Sequence, residues 1–298
     1  MDLAALLASD ERVALTADAL DAGRRLDRVL HGRVSAWASR GRVAGWIREG
    51  RATVDGHVER RAGRPCKWGE RVELVAPKNA QDLAAEDLPA EIAPLVLRAD
   101  GVVVVDKPAG LPVHPARGEV RRTLLVALHR RFGAESEAGG PWLCHRLDRE
   151  TSGLLVVALT RAAARHFTSL FAELRVARTY AARVFGRPAW EGERRFDAPL
   201  RLQDAPPFRV VPDPSGQAAE TRALVLRADA DFAELEVRPV TGRQHQIRVH
   251  LASAGHPIVG DPFYGRASPA EVAPRMFLHA CGLELPGLGL VESPAPWR

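Results

Sequence analysis

The stretch that most constrains this chain is Leu154-Leu155-Val156-Val157-Ala158-Leu159. Six consecutive apolar residues rich in leucine and valine read as a strand covered on both faces. The nine residues before it, His145-Arg146-Leu147-Asp148-Arg149-Glu150-Thr151-Ser152-Gly153, therefore form a loop that leads into the core. Asp148 lies there between Arg146 and Arg149, with Glu150 close by. Cationic neighbours favour the charged form of a carboxylate, so Asp148 is expected as an anion at neutral pH. An anion on a loop anchored by a core strand suits a nucleophile, or a partner for a developing cation. The same charges also fit a surface ion-pair cluster, the reading that composition alone favours.

A length of 298 residues allows one large domain or two ordinary ones. With 46% hydrophobic and 27% charged residues the composition is that of a globular protein. No apolar stretch approaches the ~20 residues that span a bilayer. The first 21 residues are acidic and Ala/Leu-rich, without the basic start and cleavage site of a signal peptide, so a cytoplasmic protein is expected. Cys66, Cys144 and Cys281 are far apart and form no C-x-x-C, which excludes a cysteine-rich zinc module and argues against a disulfide framework. Cys144, although next to His145, is read as a buried thiol acting as a small hydrophobe.

Charge is unevenly spread. Residues 22–76 carry thirteen basic and six acidic residues, a net of +7, whereas the whole chain is only +5. A basic segment of this density binds nucleic-acid phosphates by releasing their counterions. Within it, residues 25–30 open a helix, with Leu26, Val29 and Leu30 at helical spacing. Ser39 is placed to cap a second helix over 40–49 that stops before Gly50. Asp55-Gly56 between short extended runs predicts a hairpin, and a further strand is expected at 70–75. Residues 1–21 thus read as an N-terminal extension, 22–76 as a small α+β domain, 77–92 as an acidic linker with prolines, and 93–298 as a second domain.

The second domain opens with the strand Val102-Val103-Val104-Val105, followed by a proline-studded loop from Asp106 to Pro115. Residues 121–132 read as a helix. Thr160 caps another, with Ala163, Phe167, Leu170, Phe171 and Leu174 recurring every three or four residues. Tyr180 follows on a strand to Phe185, and 188–216 reads as irregular. Residues 222–227 and 232–238 alternate as strands with one wet face, and 244–254 reads as a helix closed by Gly255 and Pro257. The fold class expected is α+β on a large, mostly antiparallel mixed sheet.

The order His145-Arg146-Leu147-Asp148, then Thr151-Ser152-Gly153, resembles the catalytic motif of the RluA-type pseudouridine synthases. Two further blocks are similar to that family. One is Arg178-Thr179-Tyr180-Ala181-Ala182-Arg183-Val184-Phe185-Gly186. The other runs from Arg238-Pro239-Val240-Thr241-Gly242-Arg243-Gln244-His245-Gln246-Ile247-Arg248-Val249-His250-Leu251 through Gly260-Asp261 to Tyr264-Gly265. The loop Asp106-Lys107-Pro108-Ala109-Gly110 resembles a further family segment, with Asp106 where asparagine is usual. In the basic segment, Arg25-Leu26-Asp27, Ile47-Arg48-Glu49-Gly50 and Val54-Asp55-Gly56 resemble an S4 RNA-binding domain, found ahead of the catalytic domain in several such enzymes.

The resemblance implies an isomerase that converts uridine to pseudouridine in structured RNA. Large-subunit rRNA is the default target for this architecture and tRNA the other; a monomer is expected. It assigns catalysis to Asp148, Tyr180 and Arg248, with Arg248 as the buried partner that keeps the carboxylate charged. Tyr180 would lie against the extruded base and serve proton transfer. Arg146 would enter the space the base leaves. Arg149 and Arg243 are candidates for phosphate contacts, and His145, His245, Arg48 and Arg51 for further RNA contacts. The five-residue spacing of His245 and His250 is unlike the metal-binding i, i+4 pair, which favours hydrogen-bonded histidines. There is no Walker A sequence and no G-x-G-x-x-G fingerprint, and the isomerisation calls for no metal, cofactor or energy source.

Two other functions fit less well. A non-catalytic RNA-binding or ribosome-assembly protein on the same fold has no need of Asp148, Tyr180 and Arg248 together. A glycosidase using Asp148 and Glu150 must place them ~5 Å or more apart on opposite sides of a sugar, which adjacency on one loop opposes.

Overall fold

A computed structural model describes residues 12–19, 21–34, 38, 40–76, 91–114, 123–206, 208–265 and 273–297. These divide into two compact units. One is drawn from Met1–Ile92, Pro112–Trp142 and Leu159–Arg161, the other from Ala93–Leu111, Leu143–Ala158 and Ala162–Arg298. Pro112–Trp142 thus groups with the first unit instead of continuing the second from residue 93. The proposed Ser39 cap, residues 121–122 of the third expected helix, and linker residues 77–90 lie outside the described residues.

In the first unit, helices α1 (Leu26–Val34) and α2 (Arg40–Arg48) accompany strands β1 (Arg12–Thr16), β2 (Ala52–Val54), β3 (His57–Glu59) and β4 (Arg71–Val75). The sheet order is β1-β4-β2-β3. The expectation that residues 1–21 are only an extension is corrected here: Arg12–Thr16 pairs antiparallel with β4 along its whole length. The reason is burial, since Val13 is fully covered in the same core as Leu26, Leu30, Val43, Ile47, Val72 and Leu74. The β2–β3 hairpin turns on Asp55 and Gly56, both at positive φ (50° and 80°), as a two-residue turn demands. Helix α3 (Leu124–Phe132) also belongs to this unit. Thr123 caps it through Val126 N, and its opening N–H groups donate to the carbonyls of Pro112 and Val113.

The second unit is built on a ten-stranded sheet. Its strands are β5 (Leu95–Ala99), β6 (Val102–Lys107), β7 (Trp142–Leu143), β8 (Ser152–Ala158), β9 (Ala177–Phe185), β10 (Glu193–Phe196), β13 (Thr221–Ala228), β14 (Phe232–Pro239), β15 (Leu278–Leu285) and β16 (Gly289–Glu292). A separate hairpin joins β11 (Leu200–Leu202) to β12 (Val210–Pro212). Helices α4 (Arg161–Ala172) and α5 (Gln246–Ser253) complete it. The main path is β10-β13-β14-β9-β15-β8-β6-β5, with β15 and β8 parallel and its other neighbours antiparallel. This is the expected α+β architecture. Every residue of β8 is buried, which is why it could be read as a continuous apolar run.

Gly153 is fixed by this sheet. Its φ is +113°, and a Cβ there would strike the Ala280 backbone of the parallel neighbour. Two expectations need amendment. Residues 188–216, read as irregular, carry β10, β11 and β12; and β15, a central strand, was not anticipated. Leu278-His279-Ala280-Cys281-Gly282 lacks the alternation that marks a strand, and its place comes from partners far away in sequence. Among the described residues no helix is long and apolar enough to cross a membrane.

The Arg64–Glu70 pair generates a test. Both guanidinium Nη groups donate to the Glu70 carboxylate (2.8 and 2.5 Å), as does Lys67 N (2.8 Å). The Arg64 hydrogen bond leads in pushing that carboxyl down from 4.5 to about 2. The unfolded chain therefore takes up this proton at higher pH than the folded one. Its stabilising contribution is complete above about 4.5 and is lost as pH falls toward about 2. Urea titrations of Glu70→Gln should show lower stability than wild type at neutral pH and a flatter decline through that acid window.

Candidate active site

The Asp148 loop is held at both ends before any chemistry is considered. Behind it, the Lys107 ammonium, fully buried at the end of β6, donates to three carbonyls: Pro108 (2.8 Å), Leu111 (2.8 Å) and Arg149 (2.9 Å). Gly110 N donates to the same Arg149 carbonyl at 2.9 Å. Burial, only partly opposed by Glu150 and Asp148, pulls the Lys107 ammonium down from 10.5 to about 7. At the other end, His145 Nε2 accepts from Val156 N (3.0 Å), and its ring stacks on Phe171 with centroids 4.1 Å apart. Burial, helped by the charge of Arg178, pushes this imidazole down to about 3, so it is neutral with its proton on Nδ1.

Asp148, on the loop between these anchors, meets Arg248 from α5. Arg248 Nη1 donates to Asp148 Oδ2 at 3.0 Å. Arg248 is 2% exposed, and its two remaining donor groups are taken by Asp261: Nε to Oδ2 at 2.7 Å and Nη2 to Oδ1 at 2.8 Å. Asp261 Oδ1 also accepts from the backbone N–H groups of Phe263 (2.9 Å) and Tyr264 (3.1 Å). Burial opposes the charge on Arg248, but hydrogen bonding and attraction to Asp261, joined by Asp148, outweigh it and raise its pKa. Burial likewise opposes the charge on Asp261, and the Arg248 contacts reverse that, leaving its carboxyl below the ordinary range.

Tyr180, on β9, is buried beside the same site. Burial raises its hydroxyl above the usual tyrosine range, with Arg178 opposing and Asp148 adding to the effect. The phenol therefore holds its proton at neutral pH. Asp148, Tyr180 and Arg248 line one cleft with Arg146, Arg178, Arg243 and His245. Its volume is about 80 Å³, on a scale where one water needs roughly 10–15 Å³, which makes it the size of a single small ring.

The sequence-derived candidates therefore separate. Asp148, Tyr180, Arg248, Arg146, Arg243 and His245 converge on the cleft. His145 and Arg149 do not line it. His145 is committed to Val156 and Phe171, and Arg149 Nε donates to Gly110 O (3.1 Å). Arg48 and Arg51 belong to the first unit; both are exposed, and Arg51 pairs with Glu49 at 3.0 Å. His250 is structural, lying 2.9 Å from Thr221 Oγ1 and 2.9 Å from Ala198 O.

Sequence reasoning gave no role to Asp261, Lys107, Arg178 or Tyr264. Signals existed for the first two: an acid directly after the Ile258-Val259-Gly260 turn, and a lysine closing the strand that four valines open. Arg178 closes the turn that carries Gly242, its Nη2 donating to the carbonyls of Pro239 (3.2 Å) and Thr241 (2.9 Å).

A profile of the RNA pseudouridylate synthase family matches residues 101–253. The chain is 37% identical to Ribosomal large subunit pseudouridine synthase D of Nitrosomonas europaea, over 97% of this chain and 86% of that protein. It is 39% identical to Dual-specificity RNA pseudouridine synthase RluA of Escherichia coli K12, over 62% of this chain and 83% of that one. The structure of human RNA Pseudouridylate Synthase Domain Containing 1 superposes with a TM-score of 0.60 at 31% identity, covering 72% of this chain and 87% of that one. The fold is thus that of an RNA-modifying isomerase. The chain belongs to the RluA-type family of RNA pseudouridine synthases.

The double-carboxylate grip on Arg248 predicts a large effect at a residue one step removed from Asp148. Asp261→Ala leaves a buried guanidinium with one partner, which should cost about 3–5 kcal/mol of stability. It should also cut turnover by slackening Arg248. Denaturant titration and an isomerisation assay on the same preparation check both.

Proposed function

We propose that this enzyme isomerises uridines of large-subunit rRNA, with Asp148 as the catalytic carboxylate and residues 22–76 as an S4-like RNA-binding domain. The observation that carries the mechanism is the 3.0 Å contact of Asp148 with a guanidinium itself fixed by Asp261. The reaction breaks the bond from N1 to C1′, turns the uracil, and joins C5 to C1′; the hydrogen on C5 leaves as a proton to solvent and N1 takes a proton up. Positive charge develops at C1′ as the first bond breaks, and a carboxylate preorganised beside it stabilises that charge. Arg248 holds the carboxylate in place through a charge-assisted hydrogen bond.

Tyr180, protonated and buried in the cleft wall, supports the extruded ring and offers its hydroxyl to it. Arg146, exposed at the cleft, fills the gap left in the strand. The rRNA assignment rests on the Nitrosomonas europaea relative, which is named for the large ribosomal subunit and matches along almost the whole chain. The S4-like assignment rests on two helices, a small sheet, and thirteen basic residues against six acidic ones in 22–76. Arg48 and Arg51 are its candidate phosphate contacts.

With a large-subunit rRNA transcript, wild type should generate pseudouridine, read as carbodiimide adduct stops. Asp148→Ala and Asp148→Asn should form none while binding the transcript as wild type does. Conversion by the alanine variant overturns the mechanism. Binding without conversion by wild type favours the non-catalytic reading.

A further inference from the structure

The cleft holds one histidine whose surroundings are unlike those of the others. His145 and His250 are tied to backbone carbonyls or amides, whereas His245 lies between a tyrosine hydroxyl and the Asp148 carboxylate. It sits at the start of α5 with φ 54° and ψ 16°, a left-handed conformation that non-glycine residues seldom adopt. Strain of this kind persists where the surroundings impose it, as at functional sites. The ring is stacked beside Phe263, with centroids 5.9 Å apart.

Tyr264 is the second part of the arrangement. Its backbone N–H donates to Asp261 Oδ1, so the carboxylate that holds Arg248 also places this residue. Its hydroxyl accepts from Val210 N at 3.1 Å and lies 2.9 Å from His245 Nδ1. On the far side of the ring, His245 Nε2 is 3.9 Å from Asp148 Oδ2, the oxygen that also takes Arg248 Nη1.

A neutral imidazole has one N–H, and the network decides where it is. Burial leads in lowering the pKa of His245, Arg248 and Arg146 add to that, and Asp148 and Asp261 oppose it. A bare Nε2 would point its lone pair at a carboxylate oxygen. With the proton on Nε2 that repulsion becomes attraction, and Nδ1 is left to accept the Tyr264 O–H. Val210 N–H, already donating to Tyr264 Oη, turns the hydroxyl proton toward the ring.

We propose that Tyr264 and His245 form a tautomer-locked relay that presents an N–H to the Asp148 carboxylate, His245 serving as its positioning residue and Tyr264 acting through it. The inference rests on the assignment of Asp148 as the catalytic group. At 3.9 Å the His245 contact is beyond hydrogen-bond length, and substrate binding shortens it. Both donors then converge on Oδ2, which leaves Oδ1 as the oxygen that meets the ribose. The relay contributes no proton to the reaction; it orients a charge.

The test uses the full chain and a large-subunit rRNA transcript carrying tritium at C5 of uridine, whose release reports isomerisation in a single turnover. His245→Gln puts an amide N–H near the place of Nε2, whereas His245→Asn puts one only near Nδ1. At saturating transcript the asparagine variant should lose about 10–100-fold in rate, the worth of a hydrogen bond to a charged group. The glutamine variant should recover most of that loss. Tyr264→Phe frees the tautomer and should slow the reaction, and the nitrogen NMR spectrum of histidine-labelled wild type should show Nε2 protonated. Equal rates for the glutamine and asparagine variants, or an Nδ1-protonated ring in wild type, overturn the relay. Failure of wild type to release tritium overturns the enzymatic assignment, and the nitrogen spectrum still decides the tautomer.

Discussion

One buried guanidinium holds two carboxylates, and the site is arranged around that fact. Arg248 gives Nε and Nη2 to Asp261, which leaves Nη1 for Asp148. A lysine could not divide its donors in this fixed plane, because an ammonium is a point charge on a flexible stem. Burying the ions costs several kcal/mol each unless nearly every lone pair and proton finds a partner. Asp261 meets that demand with two backbone N–H groups in addition to Arg248. Asp148 does not: it is the half-exposed member, with a side chain 17% exposed against 0% for Asp261. Asp261 is saturated, and Asp148 is left with capacity.

Most of the residues around Asp148 place it without touching a substrate. Lys107 and Gly110 converge on the Arg149 carbonyl. His145 takes a backbone proton from Val156, and Gly153 lets β15 approach β8. A carboxylate displaced by a fraction of an ångström would lose the alignment that electrostatic catalysis needs. That requirement fits the way the Asp148 loop borders the most deeply covered strand in the sheet. The strand supplies rigidity that an exposed loop lacks.

What could be read from the sequence follows the range of the interactions concerned. β8 and the Asp55-Gly56 hairpin were legible because neighbours in the chain determine them. Asp148, Tyr180 and Arg248 were found by their motifs, and the cleft does unite them. The N-terminal strand β1 was missed because its partner lies some sixty residues on, at Arg71–Val75. Strand β15 was missed for the same reason, pairing with β9 across about a hundred residues. His145 and Arg149 look like site residues in one dimension, adjoining or flanking Asp148. In three dimensions the loop turns them away, His145 toward Phe171 and Arg149 toward Gly110. Asp261 shows the converse: an acid after a turn is visible locally, but its partner Arg248, thirteen positions earlier, is not.

The electrostatics of the cleft also bear on why the substrate is a polymer. At its floor Asp148 shares the Arg248 guanidinium with the buried Asp261. Arg146 and Arg243, both exposed, line the same cleft. A free nucleoside offers nothing for those arginines to hold, and its neutral ring is the only part that fits the floor. A nucleotide within a strand offers phosphates on either side, so the arginines can draw the backbone to the cleft while the uncharged base enters it. Binding energy gathered at the cationic positions is then available to extrude the base into the cleft.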